Sequence, residues 1–274
     1  MNRFFTSRSL ALGAVLSVAV LFLAAVSLVW TPYDPNLMSP KERLQAPGSA
    51  HLLGTDQFGR DIFSRIMRGA VNSIIVGLTT VAIGMLAGVF LGMLAAYYRG
   101  WIEEVIMRLS DLLFGFPAVL TAILVTSVLG PSIINAMLAI GIFYIPVFSR
   151  LTRATALSVW ERDFVAAARV SGVRDLAIAW RHVLPNILSA LVIQATIQFA
   201  VAILAEAGLS YLGLGTQPPH ASWGRMLNEA QTLMGMAPWT AVFPGLAISM
   251  AVLGFSLLGD GLRDILDPRL AGRR

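Results

Sequence analysis

The stretch Ile74–Tyr98, IIVGLTTVAIGMLAGVFLGMLAAYY, contains no charged residue. Wound as a helix at ~1.5 Å per residue it is long enough to cross a ~30 Å hydrocarbon core, and it is apolar on every face. A helix of that kind has lipid as its solvent. Working outward from it, five further apolar runs of comparable character appear: Leu10–Trp30, Leu112–Leu129, Ser132–Ser149, Ile187–Leu204 and Trp239–Leu258. The expected fold class is an all-α integral membrane protein with six transmembrane helices. Composition agrees, because apolar residues make up 57% of the chain and charged ones 13%. Soluble domains carry ~45–50% and ~25%, so this chain cannot hide its apolar surface by folding on itself in water.

The first run follows Arg3 and Arg8. Its apolar core exceeds the 7–15 residues of a signal-peptide core, which favours a retained anchor. The net charge of +5 arises from residues placed between the apolar runs, so it reports membrane orientation and argues against a nucleic-acid partner. With the N-terminus inside, fourteen of the Lys and Arg residues fall in inner segments. The outer segments hold six: Lys41, Arg43, Arg60, Arg65, Arg68 and Arg225. The bias places both termini in the cytoplasm. Asp56 and Asp61 partly offset the outer arginine cluster.

Two connections stand out by length. Thr31–Asn72 contains Pro32, Pro35, Pro40 and Pro47 and reads as an external loop region without long helices. Arg150–Asn186 is far longer than the ~2–8 residues usual between helices, so it predicts structure with a purpose of its own on the cytoplasmic side. The domain division is therefore 1–72 for the anchor and external loop, 73–263 for the main transmembrane domain with its inner loop at 150–186, and 264–274 for a cytoplasmic tail.

Within that inner loop, alanine-rich Asp163–Val170 favours a helix, Gly172 is a stop with access to left-handed geometry, and Pro185 marks the next boundary. Two short helices at an angle are expected. Phe164, Ala167, Ala168 and Ser171 form a small-residue face on the first, and Leu176, Trp180 and Val183 an apolar face on the second. Such faces fit either a protein partner or the membrane surface.

Polar residues at membrane depth are costly unless they pair or meet water. Gln194 and Gln198 share one face of the fifth run, so they either line a solute pathway or bond between helices. Glu206 lies two turns further on, near the outer end, where water is expected to reach it. Gly84, Gly88 and Gly92 put three side-chain-free positions on one face of the second run, a surface for close helix packing.

Several chemistries are excluded or weak. The chain has no cysteine, and His51, His182 and His220 fit no metal-ligand spacing, so they read as ordinary polar side chains. No phosphate-binding G-x-x-x-x-G-K-[ST] loop exists, so ATP is not hydrolysed by this chain. Gly208–Gly213 has one residue too many for a G-x-S-x-G nucleophile elbow, leaving an intramembrane hydrolase as a remote alternative.

At 163–185 the sequence resembles the EAA signature of binding-protein-dependent ABC import permeases. Ala167, Ala168, Gly172, Ile178, Leu184 and Pro185 match it, and the glutamate position is Ala166. The resemblance covers nearly the whole chain. Leu53-Gly54-Thr55-Asp56 with Gly59-Arg60-Asp61 and Ser64-Arg65 is similar to the external signature of the dipeptide/oligopeptide/nickel group. So are Met107-Arg108 with Asp111, Phe116-Pro117, Ser210–Gly215 with Trp223-Gly224, and Gly259–Asp264 with Asp267-Pro268-Arg269.

The resemblance implies the ABC type I importer transmembrane fold, in a bacterial inner-membrane permease subunit of the second, C-type kind. It implies a homologous B-type permease as partner, two ATPase subunits carrying ATP and Mg, and an external solute-binding protein. The chain itself would bind no cofactor or metal. Asp163, Ala167, Ala168, Gly172, Leu184 and Pro185 would couple to the ATPases. Di- or oligopeptides are the expected solutes, with nickel or its chelates, glutathione and opine-like molecules as alternatives.

Overall fold

A computed structural model describes residues 8–266. The sequence features at Arg3, Asp267, Pro268, Arg269, Arg273 and Arg274 lie outside the described residues. The described chain is helical: α1 (Arg8–Val29), α2 (Ile62–Tyr98), α3 (Gly100–Phe114), α4 (Ala118–Leu129), α5 (Ile133–Trp160), α6 (Asp163–Val170), α7 (Asp175–Ile178), α8 (Leu184–Tyr211), α9 (Trp223–Ala230) and α10 (Trp239–Leu266). Among the described residues five helical stretches are long and apolar enough to cross a membrane, and the number is six if the bent pair α3–α4 counts as one span.

α2 begins at Ile62, not at Ile74, because Asp61 caps it. The Asp61 carboxylate accepts from Ser64 N and Ser64 Oγ, each at 2.7 Å, satisfying donors that an uncapped first turn leaves free. The expected loop through Asn72 is therefore shorter, and its last part is helix. At 37 residues α2 is about 55 Å long, so it projects beyond the bilayer.

The expected third span, Leu112–Leu129, is not one helix. α3 and α4 meet at 83°, with Gly115, Phe116 and Pro117 between them. Pro117 has no N–H to continue the ladder and disfavours helical geometry at Phe116, so the chain turns there. α4 alone, with 12 residues, covers only about 18 Å.

α2 packs most extensively on α5. A Cβ at Gly84 would meet Tyr144, one at Gly88 would meet Ile145 and Phe148, and one at Gly92 would meet Ser149 and Thr152. The glycine face thus serves packing within the chain. α1 crosses α10 in the same way, with Gly13 against Leu257 and Leu258, and Gly254 against Leu16 and Ser17. Two apolar cores result. One joins α2, α4, α5 and α8 and extends to α6, and the other joins α1, α2, α8, α9 and α10. The bundle has two poles, one capped by residues 30–61 and 212–238, the other by α6 and α7.

Candidate functional site

At the α6 pole, the inner loop expected at 150–186 is mostly helix. α5 runs on to Trp160, and α6 follows after a short turn. α6 ends in a Schellman cap, with Val173 N donating to Ala168 O at 3.1 Å and Gly172 N to Arg169 O at 2.9 Å. Gly172 sits at φ +79°, the left-handed conformation this cap requires, and a Cβ there would meet nothing. Val173 and Ala168 pack together on the first core.

The second short helix is not a separate element. α7 continues through a π-helical segment, Ala179–Val183, into α8, and Asp175–Tyr211 forms one continuous helix. Pro185 lies in the first turn of α8 and does not end the helix. It has no N–H to give an i−4 carbonyl, and the widened turn before it accommodates that loss.

The expected small-residue face of α6 divides. Val165 is fully buried and Ala168 faces inward, whereas Asp163, Phe164, Ala166, Ala167 and Ser171 are exposed. On the other arm Val183 is buried, but Leu176 and Trp180 are 72% and 65% exposed. Val170 is likewise exposed, so apolar side chains on both sides of the Gly172 turn stand open at this pole. Leu184 is half-buried and Pro185 exposed.

Gln194 and Gln198 lie half-buried on α8. Thr196, on the opposite face, turns toward Gly259 of α10, and Phe199 packs on Gly77 of α2. The glutamines point away from both of these neighbours, at an edge of α8 where Leu191 and Ala202 are buried in the first core and Val201 is exposed. Glu206 does not reach water as expected. It is 1% exposed, and its Oε1 accepts from Ser210 Oγ at 2.5 Å and Thr216 Oγ1 at 3.0 Å. Ser210 Oγ in turn accepts from Thr216 N at 2.8 Å. The segment after α8 folds back over the carboxylate, closing it off. The repeated hydroxyls at Ser210 and Thr216 were the available signal, but the reversal that joins them is invisible in sequence.

The opposite pole is held by a charged cluster that sequence reasoning did not assemble. Arg60 Nε donates to Asp56 Oδ2 and Arg60 Nη2 to Glu229 Oε2, both at 2.6 Å. Arg65 Nη2 reaches the same Glu229 oxygen at 3.4 Å, and Arg225 Nε its other oxygen at 3.2 Å. Arg60 and Arg65, which run against the inside-positive bias, are thus paired and buried structural residues, while Arg68 is exposed. His51, stacked on Tyr33 at 4.6 Å, meets Asp61 through Nδ1 at 2.9 Å. Trp223 Nε1 donates to Ile66 O at 3.0 Å and Trp239 Nε1 to Thr55 O at 3.2 Å. The loop is a small folded cap, and among the described residues no group of His, Asp and Glu is arranged to hold a metal. Beside it, a cavity of about 370 Å³ opens between the α4–α5 tip at Pro131–Ile133 and the returning segment Thr216–His220, with Asn72 at its wall.

Comparison with known proteins agrees with this architecture. Residues 88–272 match the family described as binding-protein-dependent transport system inner membrane component. The dipeptide transport system permease protein DppC of Alkalihalophilus pseudofirmus is 42% identical, over 94% of this chain and 85% of that protein. The glutathione transport system permease protein GsiD of Escherichia coli is 46% identical, over 98% of this chain and 90% of that one. Among solved structures, a chain of the inward-facing MetNI methionine ABC transporter superposes with a TM-score of 0.62 at 16% identity. The match spans 74% of this chain and 96% of that one. The chain belongs to the binding-protein-dependent transport system inner membrane components, as a permease subunit of an ABC importer.

Proposed function

We propose that this subunit forms half of a translocation pathway for di- or oligopeptides, paired with a homologous permease of the B type. Two ATPase subunits, which bind the ATP and Mg, dock at the α6 pole, and an external solute-binding protein delivers cargo to the opposite pole. The observation that carries the coupling assignment is the set of apolar side chains Phe164, Val170, Leu176 and Trp180, left exposed on α6 and on the start of the long α7–α8 helix, which the Gly172 turn joins. An exposed apolar surface at the tip of the bundle fits a protein cover. Asp163, Ala167, Gly172 and the Leu184-Pro185 step frame that surface, and Ala168 fixes it to the core. The chain catalyses no bond chemistry; its contribution is a change of shape as the ATPases close.

Peptide cargo is supported by the names of the two relatives, since dipeptides and glutathione share amide backbones and terminal charges. Nickel, its chelates and opine-like solutes are the alternatives. Reconstituting the four-chain membrane complex with its binding protein and measuring competition for labelled dipeptide uptake tests the assignment. Uptake displaced by glutathione or a nickel chelate but not by dipeptides would replace it.

Gln194 and Gln198 are assigned to the pathway wall. They are half-buried at the edge of the α8 surface that packs on the first core, and leaving two amides against lipid is costly. Gln198→Leu is expected to lower uptake several-fold while the complex still purifies intact. Wild-type uptake in that variant would return the pair to a packing role between subunits.

Orientation follows from the charge bias: both termini and the α6 pole face the cytoplasm, and residues 30–61 face outward. The absence of native cysteine makes the check direct. In sealed cells a cysteine at exposed Ser49 should react with an impermeant maleimide, and one at exposed Ser158 only after permeabilisation. Reversed labelling inverts the map.

A further inference from the structure

Around the axis of α3 the side chains separate into three arcs. The first turns inward: Ser110 is buried, and Glu103 pairs with Arg153 of α5. The second is apolar and exposed, with Trp101 at 73%, Val105 at 48%, Leu109 at 59% and Leu112 at 62%. The third is charged, with Glu104, Arg108 and Asp111, where Arg108 Nη2 donates to Glu104 at 2.7 Å. A helix crossing the hydrocarbon would be apolar over its whole outward surface. One lying in the interface has lipid on one side and water on the other.

The contacts with α5 give its direction. Glu103 and Asp111, roughly 12 Å apart along α3, pair with Arg153 and Arg150, which are roughly 4.5 Å apart along α5. α3 therefore runs across α5 and not alongside it, consistent with its 83° angle to α4. Arg150 also stacks on Phe114 at 4.6 Å. Tyr97, Tyr98 and Trp101 are all exposed at the α2–α3 junction, the amphipathic aromatics that collect at headgroup depth. The apolar arc is continuous with the exposed Phe116, Val119 and Leu120 leading into and along α4.

We propose that α3 lies in the plane of the bilayer surface at the α6 pole. Trp101, Val105, Leu109 and Leu112 sit among the acyl chains, and Glu104, Arg108 and Asp111 sit in water. Its two ion pairs to Arg150 and Arg153 brace the part of α5 that leads into α6. This rests on the membrane-protein reading and is independent of sidedness and of the solute.

The test uses the complete transporter, with cysteine-free partner subunits, in phosphatidylethanolamine–phosphatidylglycerol vesicles. Spin labels are placed at positions 104, 105, 109 and 112, and collision with oxygen is compared with collision with a water-soluble nickel chelate. Labels at 105, 109 and 112 should favour oxygen, and the label at 104 the nickel chelate. Nickel access along the apolar arc overturns the proposal, and so does exclusion of both reagents with immobilised spectra, which would mean that a partner subunit covers it. For the brace, Glu103→Arg or Arg153→Glu alone should cut uptake several-fold, and the two together should recover most of it. Failure of the exchange to recover uptake removes the brace while leaving the depth measurement to decide the placement.

Discussion

Gly172→Trp should leave the protein inserted and joined to its partner permease, yet abolish transport. Two separate effects add at this position. A side chain at φ +79° strains the backbone by ~1–2 kcal/mol, too little to unfold a bundle whose cores lie elsewhere. A Cβ there meets nothing in this chain, so the indole has no room to claim from its own subunit and projects into the space proposed for the ATPase. The damage falls on docking. Co-purification of the ATPases should weaken, and solute-stimulated ATP hydrolysis in vesicles should vanish. Ala167→Asp, exposed one turn away, should act through docking as well. Ala168→Asp should instead lower expression and stability, because that side chain packs on the first core and would bury an unpaired charge. Normal ATPase attachment and uptake by Gly172→Trp would require another coupling element.

Glu229→Ala should destabilise the opposite pole by about 3–5 kcal/mol, the penalty of stranding a buried charge. The side chains of Arg60 and Arg65 are 4% and 1% exposed, and both aim at one oxygen of Glu229. Without it they share Asp56 alone, and two like charges remain close together out of water. A melting curve of the purified complex should shift down, and protease should cut within 30–61 under conditions that spare the wild type. Glu229→Gln should fall between, since the amide still accepts a hydrogen bond. An unchanged melting point would mean that the cap is held by His51, Trp223 and Trp239 without the ion cluster.

Features that depend on local pattern were legible in the sequence, and those that depend on distant partners were not. Charge-free runs such as Ile74–Tyr98 announce lipid-facing helices because the bilayer imposes length and polarity directly. The four-residue glycine spacing of α2 and the Gly172 stop are similarly local, since each follows from the geometry of a single helix. The start of α2 was obscured by Arg60, Arg65 and Arg68, which look like surface charges until Glu229, more than 160 positions away, comes beside two of them. Pro117 and Pro185 show how context decides one residue type. The first has Gly115 and Phe116 ahead of it and breaks the chain direction, whereas the second is absorbed by a widened turn in a helix that continues. Glu206 was misplaced because only the returning segment with Thr216 encloses it.

The unbroken helix from Asp175 to Tyr211 has a mechanical consequence. At 37 residues it is about 55 Å of stiff rod, with the Gly172 turn at one end and the Glu206 clamp near the other. A tilt of roughly 5° about its midpoint carries each end about 2 Å in opposite senses, by the same helix length. Under such a tilt glutamines near the fulcrum would barely move while both tips swing, a seesaw whose balance point lies beside the proposed pathway wall.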